Sequence, residues 1–268
     1  MNGSNLGTAF LLTLFAGLST GLGSTIALVA RRTNRRLLCV SLGFSAGVMV
    51  YVSMMSILPA AREEFASGLE GGSDWAALGA FFGGILIAAI IDRLVPDYEN
   101  PHELRRLEEM TDESRMKDPR LLRMGVLSAL VIGLHNFPEG MVTFSAALKD
   151  PALGLAIAVA IAIHNIPEGI AVSVPVFYAT GNRRKAFVYS FLSGLAEPAG
   201  ALIGFLILSQ FMSDSVFGAL LGAVAGIMVF ISFDELLPAA EEYGEHHFAI
   251  YGLVAGMAVM AASLAVLD

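Results

Sequence analysis

The chain has 268 residues, of which 56% are hydrophobic and 15% charged, against roughly 25% charged in a soluble globular domain. Together with a mean hydropathy of +0.70, this excludes an ordinary water-soluble domain. The net charge of −8 argues against nucleic acid and for a cationic partner. In chain order, eight windows suit a span of about 20 apolar residues: 6–29, 37–60, 75–95, 121–147, 152–179, 186–209, 215–238 and 247–267. No basic segment precedes the first, and its arginines follow it, so it reads as a retained span and not a cleaved leader. Cys39, the single cysteine, reads as a small apolar packing residue at the start of the second. Between the third and fourth lies 96–119, rich in both signs of charge, expected to be a cytoplasmic loop with a short helix from Glu103 to Glu109. The remaining connections are too short for a soluble unit. Residues 1–268 are therefore expected to form one all-α polytopic membrane domain of eight transmembrane helices in a lipid bilayer.

The distribution of positive charge sets the expected orientation. Arg31, Arg32, Arg35, Arg36, Arg93, Arg105, Arg106, Arg115, Lys117, Arg120, Arg123, Arg183, Arg184 and Lys185 fall on one side of an eight-span chain. They are 14 of the 16 Lys and Arg residues, and only Arg62 and Lys149 fall on the other side. Basic loops face the cytoplasm, so both termini are expected outside a cytoplasmic (inner) membrane.

The chain also repeats itself. "GVMVYVSMMSILPAAREE" (47–64) aligns with "GIMVFISFDELLPAAEEY" (226–243) at an offset of 179 residues, with nine of 18 positions identical. The same offset lays the first span on the sixth and the third largely on the eighth. Spans five apart cross the membrane in opposite directions, so the expected architecture is an inverted 3+2+3 repeat. Inverted repeats are a transporter feature, with the substrate site near the midplane where the repeats meet. Small residues such as Gly79 with Gly83, and Gly222 with Gly226, allow helices to approach closely. A homodimer is compatible with the sequence, but nothing in it selects one.

The central pair of spans carries the chemistry. "HNFPEG" (135–140) and "HNIPEG" (164–169) differ at one position and lie deep in apolar sequence. His135 and Glu139 are four apart and share a helix face, as do His164 and Glu168. Asn136 and Asn165 accompany them, and Pro138 and Pro167 each remove a backbone donor. Glu197, in "GLAEPAG", lies at similar depth in the sixth span. Acids and bases at the midplane are costly, and no intramembrane Lys or Arg is available to Glu139, Glu168 or Glu197. The remaining partners are protons or an external cation. Carboxylate, imidazole and amide oxygen together suit zinc, iron(II), cobalt or manganese.

The paired hexapeptides resemble the metal-site signature of the ZIP (Zrt/Irt-like) transporters. The short chain, "SILPAAREE" and "ELLPAAEEY" resemble the bacterial ZupT-type branch of that family, and the resemblance covers all eight spans. It implies a binuclear site, with His135, Glu139, His164 and Glu168 around one ion. Asn136, Glu139, Asn165, Glu168 and Glu197 would surround the other. It further implies metal uptake into the cytoplasm by one helix group sliding against another, with the metal as cargo and no cofactor.

The ends of the path are less specific. Asp234 and Glu235 fall near the cytoplasmic end of the seventh span and read either as an exit station or as a solvated helix end. Glu241, Glu242, Glu245, His246 and His247 carry the same two readings. Met55 and Ser56, their repeat counterparts on the outer side, read as a soft entrance or as core filling. The alternative to transport is an intramembrane metal sensor or metalloenzyme. The chain has no H-E-x-x-H, and its one E-x-x-H spacing, Glu99 to His102, falls in a loop interrupted by Pro101. It has no G-x-x-x-x-G-K-[ST] loop, which disfavours an ATP-driven pump, so no enzymatic activity is expected.

Overall fold

The structure is a computed structural model and describes residues 3–29, 35–68, 72–94, 119–208, 213–243 and 246–267. Among the described residues all regular structure is helical. The helices are α1 (Gly3–Val29), α2 (Arg35–Val52), α3 (Leu58–Gly68), α4 (Ser73–Leu94), α5 (Pro119–Lys149), α6 (Pro151–Thr180), α7 (Arg183–Gly194), α8 (Ala196–Leu208), α9 (Asp214–Ile231), α10 (Leu237–Tyr243) and α11 (His246–Leu267). Each of the eight apolar windows coincides with one helix or with a continuous run of two. Seven of these units are long and apolar enough to cross a membrane. The fourth window, in α5, is not among the seven; at 31 residues it is about 46 Å long at 1.5 Å per residue. The expected helix at 103–109 lies outside the described residues.

Local chemistry explains where the runs are interrupted. Pro59 and Pro238 cannot donate to the carbonyl four residues back, and their rings crowd it. In both places the chain widens just upstream into a π-helical turn, Ser53–Ile57 and Ser232–Leu236. Leu58 then donates to the carbonyl of Ser53, and Leu237 to that of Ser232, five residues back. These two turns are 179 residues apart, the offset of the sequence repeat. Pro198 has a different effect: the run breaks at Leu195, between α7 and α8. Pro138 and Pro167 leave α5 and α6 continuous. Asp150 caps α6, accepting from the Ala152 N–H at 2.9 Å, and the α6–α7 turn places Gly181 at φ 62°, where L side chains are disfavoured.

Two helix groups emerge from the packing. In one, α1 lies on α6 and α5 lies on α6 and α8, with α7 filling between them. In the other, α2 packs on α11 and α4 on α9, with α3 and α10 alongside. The groups meet where α2 faces α6 and α5 faces α9, around fully buried Leu42, Met49, Ile157, Ile161, Leu221 and Met228. Phe10, Leu11, Trp75, Phe82 and Leu86 point outward, as a lipid-facing surface requires.

The first group is drawn together at glycines. A Cβ on Gly140 would sit 2.0 Å from the carbonyl oxygen of Glu197, and one on Gly200 2.1 Å from that of Phe137. The α1–α6 contact is built the same way, with Gly169 against Thr20 and Gly23 against Ile166. Gly222 and Gly226 likewise receive α4 closely, at Ala80 and Phe81. Gly79 and Gly83 do not fit the expected role: nothing lies within 4 Å of a Cβ at either. Their small faces mediate no contact among the described residues.

Candidate metal centre

The continuous α5 and α6 bring the two hexapeptides face to face. His135 Nε2 lies 3.3 Å from Glu168 Oε1, and His164 Nε2 lies 3.4 Å from Glu139 Oε2. Each histidine is therefore paired with the glutamate of the other helix. An ionised carboxylate only accepts hydrogen bonds, so an imidazole facing one has to donate through Nε2. The break at Leu195 begins α8 one residue before Glu197, whose carboxylate accepts from Asn165 Nδ2. Asn165 also donates to the Ala16 carbonyl of α1 at 3.0 Å. Asn136 donates to the Ser193 carbonyl of α7 at 3.2 Å. Thr143 donates to the Glu139 carbonyl at 2.9 Å and Ser45 to the His164 carbonyl at 3.3 Å, fixing both helices locally.

Six of the seven side chains expected at the site lie in three pairs, His135 with Glu168, His164 with Glu139 and Asn165 with Glu197, while Asn136 bonds the Ser193 carbonyl instead. All seven residues are at most 7% exposed, and every one keeps an unpaired polar atom. These are His135 Nδ1, Asn136 Oδ1, Glu139 Oε1, His164 Nδ1, Asn165 Oδ1, Glu168 Oε2 and Glu197 Oε2. A buried acceptor without a donor costs about 1–3 kcal/mol, so five such oxygens in one place are a large unmet demand for positive charge. No Lys or Arg is found among the buried described residues. The donor types are those that divalent transition metals take. Among the described residues, however, no group of three His, Cys, Asp or Glu is gathered tightly enough to hold an ion. The arrangement is one of crossed pairs, with half of each carboxylate engaged by an imidazole or amide.

Of the two acids near the end of the seventh span, only one reaches this region. Glu235, in the second π turn, is buried and lines a cavity of about 120 Å³ together with His135, Leu134, Pro138 and Asp92. Asp234, its neighbour, is exposed. Asp92 was not marked by sequence reasoning. It sits at the end of α4 beside Arg93, where a charge is ordinary, and only the packing of α4 on α9 brings it to the cavity. Glu241 faces His246, with Oε1 and Nδ1 2.6 Å apart, and both are well exposed. His247 stacks against Tyr251. None of these three lines the cavity, so here the solvated helix end is the reading the structure favours. Glu245 and the side chain of Glu242 lie outside the described residues. Met55 is exposed and Ser56 half-buried.

Comparison with known proteins bears on the same residues. The family model described as "ZIP Zinc transporter" matches residues 5–120 and 96–264. The chain is 60% identical over 262 residues to "Zinc transporter ZupT" of Chlorobium chlorochromatii, covering 97% of each chain. It is 58% identical over 261 residues to the protein of the same name from Streptococcus mutans, again covering 97% of each. A third such protein, from Nitratidesulfovibrio vulgaris, is 60% identical over 269 residues, covering 97% of both chains. With both hexapeptides inside the matched region and near-complete coverage at this identity, the chain belongs to the ZIP zinc transporter family.

Proposed function

We propose that this protein carries zinc into the cytoplasm through the centre formed by α5, α6 and α8, without ATP. Iron(II), manganese and cobalt are further cargo that the same donor set would accept. The observation that carries this reading is the set of crossed pairs, His135 with Glu168 and His164 with Glu139, each retaining unpaired donor atoms in a buried site without basic residues. The relatives bear the name of zinc transporters, which supports zinc as the first cargo.

In this reading the crossed pairs open as metal enters. His135, Glu139, His164 and Glu168 take one ion; Asn136, Asn165 and Glu197, with the two shared glutamates, take a second. Three carboxylates offset much of the charge of two divalent ions. The metal leaves past His135 into the cavity lined by Glu235 and Asp92. Both termini lie outside a cytoplasmic membrane, α5 also crosses it as the fourth of eight spans, and the halves are inverted repeats. The repeat draws support from the matched π turns and from the matched packing of α2 on α11 and of α4 on α9. A divalent cation entering along an inside-negative potential gains about 4.6 kcal/mol per 100 mV, enough for roughly a 2,000-fold gradient.

Equilibrium dialysis of the purified protein against radioactive zinc tests the centre. The expected stoichiometry is two ions per chain, falling to one in Glu197→Gln. One ion in both proteins would contradict the binuclear reading, and none would contradict the site.

A further inference from the structure

The interface between α5 and α9 is built differently at its two ends. At one end Lys149, the last residue of α5, forms an ion pair with Glu64 of α3 and reaches Asp214 of α9 at 3.4 Å. Its ammonium also lies 5.7 Å from the centre of the Phe217 ring, where a cation is held by the ring face. Glu64 is only 9% exposed, so breaking the pair would strand a largely buried carboxylate. Asp214 opens α9, so its charge also favours the helix N-terminus. Burial works against the Lys149 charge, but the Glu64 carboxylate outweighs it and raises the ammonium above its ordinary value. The three charges come from helices of both groups. Lys149 belongs to the group that carries the hexapeptides, and its two partners belong to the other.

At the other end the same helices are parted by the cavity that touches His135. Its walls are Leu134, His135 and Pro138 on α5, Ile227, Phe230 and Ile231 on α9, and Ile87 and Asp92 among the α4 residues. Lys149 lies eleven residues beyond Pro138, about 16 Å along the helix. One helix is thus clasped to its neighbours on one side of the candidate centre and separated from them on the other.

We propose that Lys149 is the gate residue of the transport cycle, its clasp on Glu64 and Asp214 holding one side of the path shut while the cavity at His135 is formed on the other. The proposal rests on the transport reading. It assigns Lys149 no contact with metal. Lys149 acts through the position of α5, and its release lets α5 move away from α3 and α9 as the opposite cavity closes. A cation arriving at Glu64 and Asp214 competes with the ammonium for the same carboxylates, which couples arrival of cargo to opening.

The test uses the full chain in detergent, with Cys39→Ala removing the only native thiol and Ile231→Cys, at a buried position of the cavity wall, as the reporter. The rate of modification of that cysteine by a small polar maleimide measures how often the cavity is formed. Lys149→Met keeps the stem over Phe217 but loses the charge; it should slow labelling by about fivefold, the scale of one ion pair. Lys149→Arg should leave the rate near the parent's, and Glu64→Gln should slow it as Lys149→Met does. Labelling unchanged in Lys149→Met and Glu64→Gln, at an unaltered thermal midpoint, would overturn the proposal. So would slowing by Lys149→Arg equal to that by Lys149→Met. Zinc flux in liposomes is read separately: its absence in the parent would sink the transport reading, while the labelling rates would still report on the clasp.

Discussion

The two π turns make the most informative comparison within the molecule. Ser53–Ile57 and Ser232–Leu236 have the same length, precede the same Leu-Pro-Ala-Ala sequence and close with the same five-residue hydrogen bond. Their side chains diverge. The first presents Met54, Met55 and Ser56 where the second presents Phe233, Asp234 and Glu235. Proline two residues past the end of each turn accounts for the shared backbone, since a wider turn relieves the carbonyl it crowds. Burial separates the chemistry: Glu235 lines the cavity beside His135, whereas Met54 and Met55 are exposed. Of two turns with the same backbone, only the second carries acids. Under the proposed transport, that asymmetry favours movement of metal toward Glu235.

Among changes at the turns and the cavity, removing the asymmetry should have the largest effect. Glu235→Ser gives the second turn the side chain of the first, and should slow initial zinc uptake into liposomes by about tenfold, the lower range for residues that support a metal ligand. An unchanged rate would leave the buried acid without a part in release. Acidification acts on the centre itself. Histidine loses its proton to bind metal, so uptake should fall as external pH drops from 8 toward 5. Flat uptake from pH 5 to 8 would contradict metal binding through His135 and His164. Asp92→Asn removes the second acid of the cavity, and a threefold loss is expected, on the order of 0.7 kcal/mol. The smallest effect sharpens the contrast within one turn. Exposed Asp234→Asn should change the uptake rate by no more than about twofold, as isolated surface charges do, and a loss matching Glu235→Ser would merge the two acids into one station.

Much of this was legible before any coordinates. The spans are visible because lipid demands long uninterrupted apolar runs, and seven of the eight windows correspond to helical units long and apolar enough to cross a membrane. The seven residues of the centre are visible because buried charge is so costly that polar residues repeated within such runs must serve one another or a ligand. Their crossed pairing was not legible, since spacing places His135 and Glu139 on one face without saying which helix supplies the partner. The clasp of Lys149, Glu64 and Asp214 is also invisible in sequence. Its members stand in three separate connections and look like ordinary charges at span ends. Asp92 escaped for the same reason. Gly79 and Gly83 show the opposite failure: a spacing that permits close packing faces outward here, because small residues allow contact without requiring it.

Under the proposed transport, cargo passes through the crossed pairs. The measurement that tests it most directly is radioactive zinc uptake into proteoliposomes under an imposed inside-negative potential, for the unaltered chain, Glu139→Ala and His135→Ala. Uptake should saturate in the unaltered chain and fall by at least about 100-fold in Glu139→Ala and by at least about tenfold in His135→Ala. Zinc bound tightly by the unaltered chain with no flux under any potential would contradict that route, as would full flux in Glu139→Ala.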